Sequence, residues 1–142
     1  SEFCSGVYSS HDEDAVEFLR SLASWAHSNK GNTQPMLLLI DDFESVLSLG
    51  YEAQQNLRWL LLRGPSRHVW PVVTLNSTRA GFISQWLEFF RTRLFGCIES
   101  SQDAVYLSND QTASLNTLLK GVEFAMREGN GWLRFWLPSI KE

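Results

Sequence analysis

Two carboxylates stand side by side at the end of an apolar run, in Met36-Leu37-Leu38-Leu39-Ile40-Asp41-Asp42. Charges at the end of a buried strand are costly unless they bind something or stay wet. In a nucleotide-hydrolysing site a first carboxylate there holds Mg²⁺, usually through water, and a second orients the attacking water. The plain alternative is that one aspartate caps the following helix and the other is solvated, because Asp is a favoured cap. A second polar cluster, Thr74, Asn76, Ser77 and Thr78, gathers at the end of a second apolar run, Val69–Leu75. A neighbouring strand can place such a side chain beside a phosphate, whereas the cluster alone reads as a turn-rich loop.

The elements that must position these residues follow from the pattern. Ser10-His11-Asp12-Glu13 fits a capping box, and Val16, Leu19, Leu22, Ala23 and Ala26 recur at helical spacing behind it, with a stop expected near 29–32. The continuous apolar run Met36–Ile40 reads as a strand buried on both faces of a parallel sheet. Phe43 to Arg63 is helical in pattern but interrupted near Gly50, and Gly64-Pro65 ends it. Val69 to Leu75 is a second strand, expected parallel and central beside the first. A helix carrying Phe82, Ile83, Trp86, Leu87 and Phe90 on one side is predicted next, then a third strand over Leu94–Ile98. Asp110 is placed to cap a short helix holding Leu115, Leu118 and Leu119. The chain then reads as a hairpin, Val122–Glu128 and Trp132–Leu137, about a Gly129-Asn130-Gly131 turn. Alternating strands and helices predict a three-layer α/β domain with a mostly parallel sheet and a C-terminal β-hairpin. Such sheets bind ligands at the carboxyl ends of their strands.

The bulk properties narrow the function. The 142 residues make one domain's length, with residues 1–9 read as an N-terminal tail or cloning residues and 10–142 as the domain. A net charge of −4, with basic residues scattered apart from loose groups at Arg63/Arg67 and Arg91/Arg93, disfavours autonomous nucleic-acid binding. Cys4 and Cys97 form neither a disulfide framework nor a metal-ligand spacing with the three histidines. No apolar run is long enough to span a bilayer and no signal peptide is visible, so the cytoplasm is the default location.

Met36 to Phe43 resembles the Walker B segment of FtsK/SpoIIIE- and HerA-type motor ATPases. Leu62 to Val69 resembles their loop and short strand, and Val72 to Arg79 the strand that ends in their sensor residue. Thr92–Ile98 with the serine-rich turn Ser100-Ser101-Gln102-Asp103 resembles the next strand, and Leu115–Pro138 the closing helix, glycine and hairpin. The likeness covers residues 36–138 in one order. It implies a partial P-loop (RecA/FtsK-like) fold and an ATP-driven ring motor that moves DNA or polypeptide, with ATP and Mg²⁺ as cofactors. It implies Asp41 as the Mg²⁺ and nucleotide ligand, Thr78 as a nucleotide contact, and Asp42 and Asn76 as catalytic groups. Arg93, and less so Arg79, match the arginines that reach a neighbouring subunit's phosphate, against the alternative of a local carboxylate or carbonyl partner.

The sequence departs from that family in one decisive place. Gly-x-x-x-x-Gly-Lys-Ser/Thr, which cradles the phosphates, does not occur in these residues, and Asp42 stands where many members carry Glu. In the family that loop lies upstream of the first helix seen here. The chain alone is therefore expected neither to bind ATP tightly nor to hydrolyse it, and to associate with itself, with ring neighbours or with the phosphate-loop segment through apolar sheet faces. The second reading is a non-catalytic assembly module that keeps the fold for packing against partners.

Overall fold

The computed structural model describes residues 4, 6–9, 11, 13–29 and 34–138. The chain divides into two compact units, Ser1–Leu75 and Asn76–Glu142.

The first unit holds helix α1 (Glu13–Ser28), strand β1 (Met36–Ile40), helix α2 (Tyr51–Arg63) and strand β2 (Val69–Val73). Glu13 and Asp14 lie in the first turn of α1, where the helix dipole favours negative charge. Ala15, Leu19, Leu22, Ala23 and Ala26 form its buried stripe. The expected capping box rests on Ser10 and Asp12, which lie outside the described residues, as do 30–32 of the expected stop. The predicted break near Gly50 is present. A 3₁₀ segment Phe43–Ser48 precedes it, and Gly50 is the extended N-cap of α2. α1 and α2 pack together, and α2 also packs on β2. In α2, Leu57, Leu60 and Leu61 are buried. At about 1.5–3 kcal/mol for each buried leucine they contribute roughly 5–9 kcal/mol.

β1 and β2 pair in parallel, in the register Met36↔Val69 through Ile40↔Val73. The parallel pairing is as predicted; the central position is not. Among the described residues the sheet has two strands, so each is paired there along one edge only. Leu38 and Val69 are turned inward at 6% and 0% exposure. Leu37, Leu39, Trp70 and Val72 share the opposite face and are 66%, 69%, 48% and 53% exposed. The all-apolar run does not mean burial on both faces here, because the layer that would cover the second face is absent among the described residues.

The second unit opens with a 3₁₀ segment Ser77–Phe89, kinked at Ile83, and continues through β3 (Leu94–Phe95), α3 (Ser101–Ser108), a 3₁₀ turn Leu115–Thr117, β4 (Glu123–Glu128) and β5 (Gly131–Trp136). Where an α-helical face was expected, Ala80, Ile83 and Trp86 are buried and Phe82 is 66% exposed. That spacing of three is the repeat of a 3₁₀ helix, not of an α-helix. The third strand corrects the expected architecture. Leu94 and Phe95 pair antiparallel with Met126 and Ala125, so β3 joins the hairpin instead of extending the parallel sheet. The order β3-β4-β5 makes a three-stranded antiparallel sheet. The hairpin itself is as predicted, closed by Gly129-Asn130 with Gly129 at φ 59°. The molecule is mixed α/β, with a small parallel sheet in one unit and an antiparallel sheet in the other.

Candidate functional site

The end of β1 is tied to the end of β2 through Thr74, by backbone and side chain together. Beyond the last paired residues Ile40 and Val73, the Thr74 amide donates to the Ile40 carbonyl (3.0 Å) and the Phe43 amide to the Thr74 carbonyl (2.9 Å). The Thr74 hydroxyl accepts the Asp42 amide at 3.0 Å and donates to the Asp41 carboxylate at Oδ1. Phe43 is fully buried behind this turn. Asp42 adopts the left-handed conformation with φ 50°. It occupies the N-cap position of the 3₁₀ segment, with its carbonyl accepting the Ser45 amide, but its side chain makes no cap bond.

Both aspartates are exposed, and among the described residues neither forms an ion pair. Among its described residues the first unit thus holds two adjacent carboxylates without an ion-pair partner, at the carboxyl end of a parallel pair. No group of three or more His, Cys, Asp or Glu side chains capable of caging a metal occurs among the described residues. Two adjacent carboxylates could serve Mg²⁺, which takes one or two and completes its shell with water and phosphates. ATP has no matching cradle in these residues, since the phosphate-loop sequence is missing.

Asn76, Thr78, Arg79 and Arg93 belong to the second unit. The Asn76 side chain caps its own helical segment, accepting the Thr78 amide at 3.1 Å and the Thr78 hydroxyl at 2.9 Å. Those two residues are joined in a local Asx turn. Arg79 is exposed. Arg93 is half-buried, and its guanidinium donates from Nε to the Phe90 carbonyl (2.9 Å), from Nη1 to Leu107 (2.6 Å) and from Nη2 to Leu87 (2.6 Å). This is the local-carbonyl arrangement, and it fastens the closing turn of the 3₁₀ segment to the last turn of α3.

Thr74, one of the second polar cluster, is the residue that orders Asp41, as the expected adjacency of two polar strand ends allows. Helix α3 begins at the stretch expected as a serine-rich turn: the Ser100 hydroxyl accepts the Asp103 amide at 3.2 Å. Its signal was Ser-x-x-Asp, a helix-start spacing. Comparison of the chain with protein-family models, with curated proteins and with solved structures finds no match. No helix among the described residues is long and apolar enough to cross a membrane.

Proposed function

We propose that this chain is the Walker B-bearing C-terminal portion of an ATP-driven ring motor similar to the FtsK/SpoIIIE and HerA types, moving DNA or polypeptide and inactive by itself. The observation that carries the reading is the strand end, where Asp41 is held by Thr74 of the parallel neighbour and Asp42 follows. In this reading Asp41 is the carboxylate for Mg²⁺, supplied together with the nucleotide's phosphates, and Asp42 is the water-orienting group. Asn76 and Thr78 are assigned to the phosphate side from the resemblance. Arg93 is assigned to holding its own unit together.

Titration calorimetry with Mg-ATP on this chain is expected to give millimolar affinity or weaker, worth roughly 4 kcal/mol or less. ATP turnover by the product of the complete reading frame is expected to require Asp41. Micromolar binding by the chain alone, or full-length turnover that survives Asp41→Ala, overturns the proposal.

One observation favours a second reading, an assembly module without catalysis. The apolar face formed by Leu37, Leu39, Trp70 and Val72 has no cover within its unit among the described residues. Contiguous exposed apolar patches mark interaction surfaces. A complete reading frame without a phosphate loop would favour this reading.

A further inference from the structure

A cleft of about 480 Å³ lies wholly within the second unit. Arg91, Arg93 and Arg127 line it, and Phe95, Leu107 and Met126 are among its apolar lining. The anionic groups nearby are Glu88, on the lining, and Asp110, which acts electrostatically on Arg127. Neither is within ion-pair distance of an arginine among the described residues. Asp110 is already engaged by Thr112 and by the Trp132 indole. Carbonyl partners fix the direction of the Arg93 guanidinium without neutralising it. Arg127 donates to the Asn109 carbonyl from Nη1 only, and Arg91 makes no hydrogen bond among the described residues.

We propose that this cleft binds a small organic anion, its phosphate or carboxylate head on Arg91 and Arg127 and its apolar body toward Met126 and Phe95. Three guanidinium groups around one concave surface recognise planar or tetrahedral oxyanions through charge-assisted hydrogen bonds. Pockets of this size combine an apolar lining with a few placed polar groups. The proposal is independent of the nucleotide reading, since it uses none of Asp41, Asp42, Asn76 or Thr78.

The test is an amide-shift titration of the ¹⁵N-labelled chain with phenyl phosphate, benzoate and inorganic phosphate as probes. Phenyl phosphate or benzoate is expected to shift the amides of Thr92, Asn109 and Arg127 together, and the tighter of the two identifies the preferred head group. Arg91→Gln, at an exposed side chain, is expected to weaken that probe roughly tenfold, and the pair Arg91→Gln/Arg127→Gln further. Arg63→Gln, at an exposed arginine outside the cleft lining, is expected to change nothing. Shifts scattered over the surface arginines, binding unchanged in Arg91→Gln, or inorganic phosphate binding as tightly as phenyl phosphate would overturn the proposal.

Discussion

Arg93 separates a structural role from a catalytic one, because the two make opposite predictions for stability. Its guanidinium holds the carbonyls of Leu87, Phe90 and Leu107, joining the end of the 3₁₀ segment, the link to β3 and the last turn of α3. A hydrogen bond to a charged group contributes about 1.5–3 kcal/mol when fully shielded. Arg93 is half-buried, and water replaces part of each bond when the side chain is removed. About 1 kcal/mol for each bond is then a fair figure, so Arg93→Ala should cost about 3 kcal/mol. Arg93→Lys keeps the charge but offers a compact ammonium that cannot span three directions, and should recover about one bond, leaving a loss of about 2 kcal/mol. For a chain of this length, 3 kcal/mol lowers Tm by about 6–12 °C. Urea denaturation of the three proteins, read by tryptophan fluorescence and circular dichroism, measures this directly. A loss below about 1 kcal/mol for Arg93→Ala would refute the reasoning. If, in addition, that variant abolished ATP turnover in the product of the complete reading frame, Arg93 would act on the reaction and not on its own unit.

Three further expectations follow from the geometry. Gly64→Ala should destabilise the chain by about 1–3 kcal/mol, because a Cβ there meets the Leu60 carbonyl oxygen at 2.3 Å and that of Val69 at 2.9 Å, whereas Gly81→Ala meets nothing within 4 Å and should be nearly neutral in a parallel melt. The chain should self-associate in sedimentation experiments, and Leu39→Lys with Val72→Lys should shift it towards monomer while changing unfolding free energy by no more than about 0.5 kcal/mol; a parent chain that stays monomeric at high concentration counts against this. Hydrogen bonds from the Thr112 amide and hydroxyl, then the Trp132 indole, hold Asp110 below its ordinary 3.8, so its contribution is complete above that value and is lost as pH falls through the lower folded value. The indole N–H resonance of Trp132 should therefore titrate below the usual aspartate range, and that step should vanish in Asp110→Asn.

Much of the local structure was legible because single residues decide it. Gly50 separates the 3₁₀ segment from α2, Gly64-Pro65 ends α2, and Gly129 with φ 59° closes the hairpin. The errors arose where a residue's partner is distant in sequence. Leu94–Ile98 is apolar enough for a parallel strand, yet only Leu94 and Phe95 pair, and their partners lie some thirty residues onward in β4. An apolar strand reads the same whether a second layer covers it or not, so Met36–Ile40 gave no warning that Leu37 and Leu39 face outward. Phe82, Ile83, Trp86, Leu87 and Phe90 recur at a helical period of 3.6, while the buried residues Ala80, Ile83 and Trp86 fall every third position.

The candidate site shows the same division between residue type and register. Two carboxylates after an apolar run were visible at once, but their surroundings depend on how β1 aligns with β2. The observed register sets Ile40 against Val73, which carries Thr74 to the level of Asp41. Shifting the pairing by one residue would exchange the two faces of β2 and carry the hydroxyl away from the carboxylate. The same shift would turn the buried Val69 outward. The packing of Val69 therefore fixes the geometry at Asp41, five residues further along the neighbouring strand. This coupling makes a sharp expectation. Thr74→Val keeps the β-branched shape but removes the hydroxyl, leaving the Asp42 amide and the Asp41 carboxylate without that partner. At an exposed position the loss should be about 1 kcal/mol. Thr74→Ser should restore the hydroxyl and most of the stability. If Thr74→Val is as stable as the parent, and the Asp42 amide exchanges no faster with solvent hydrogen, the strand end is not organised by Thr74.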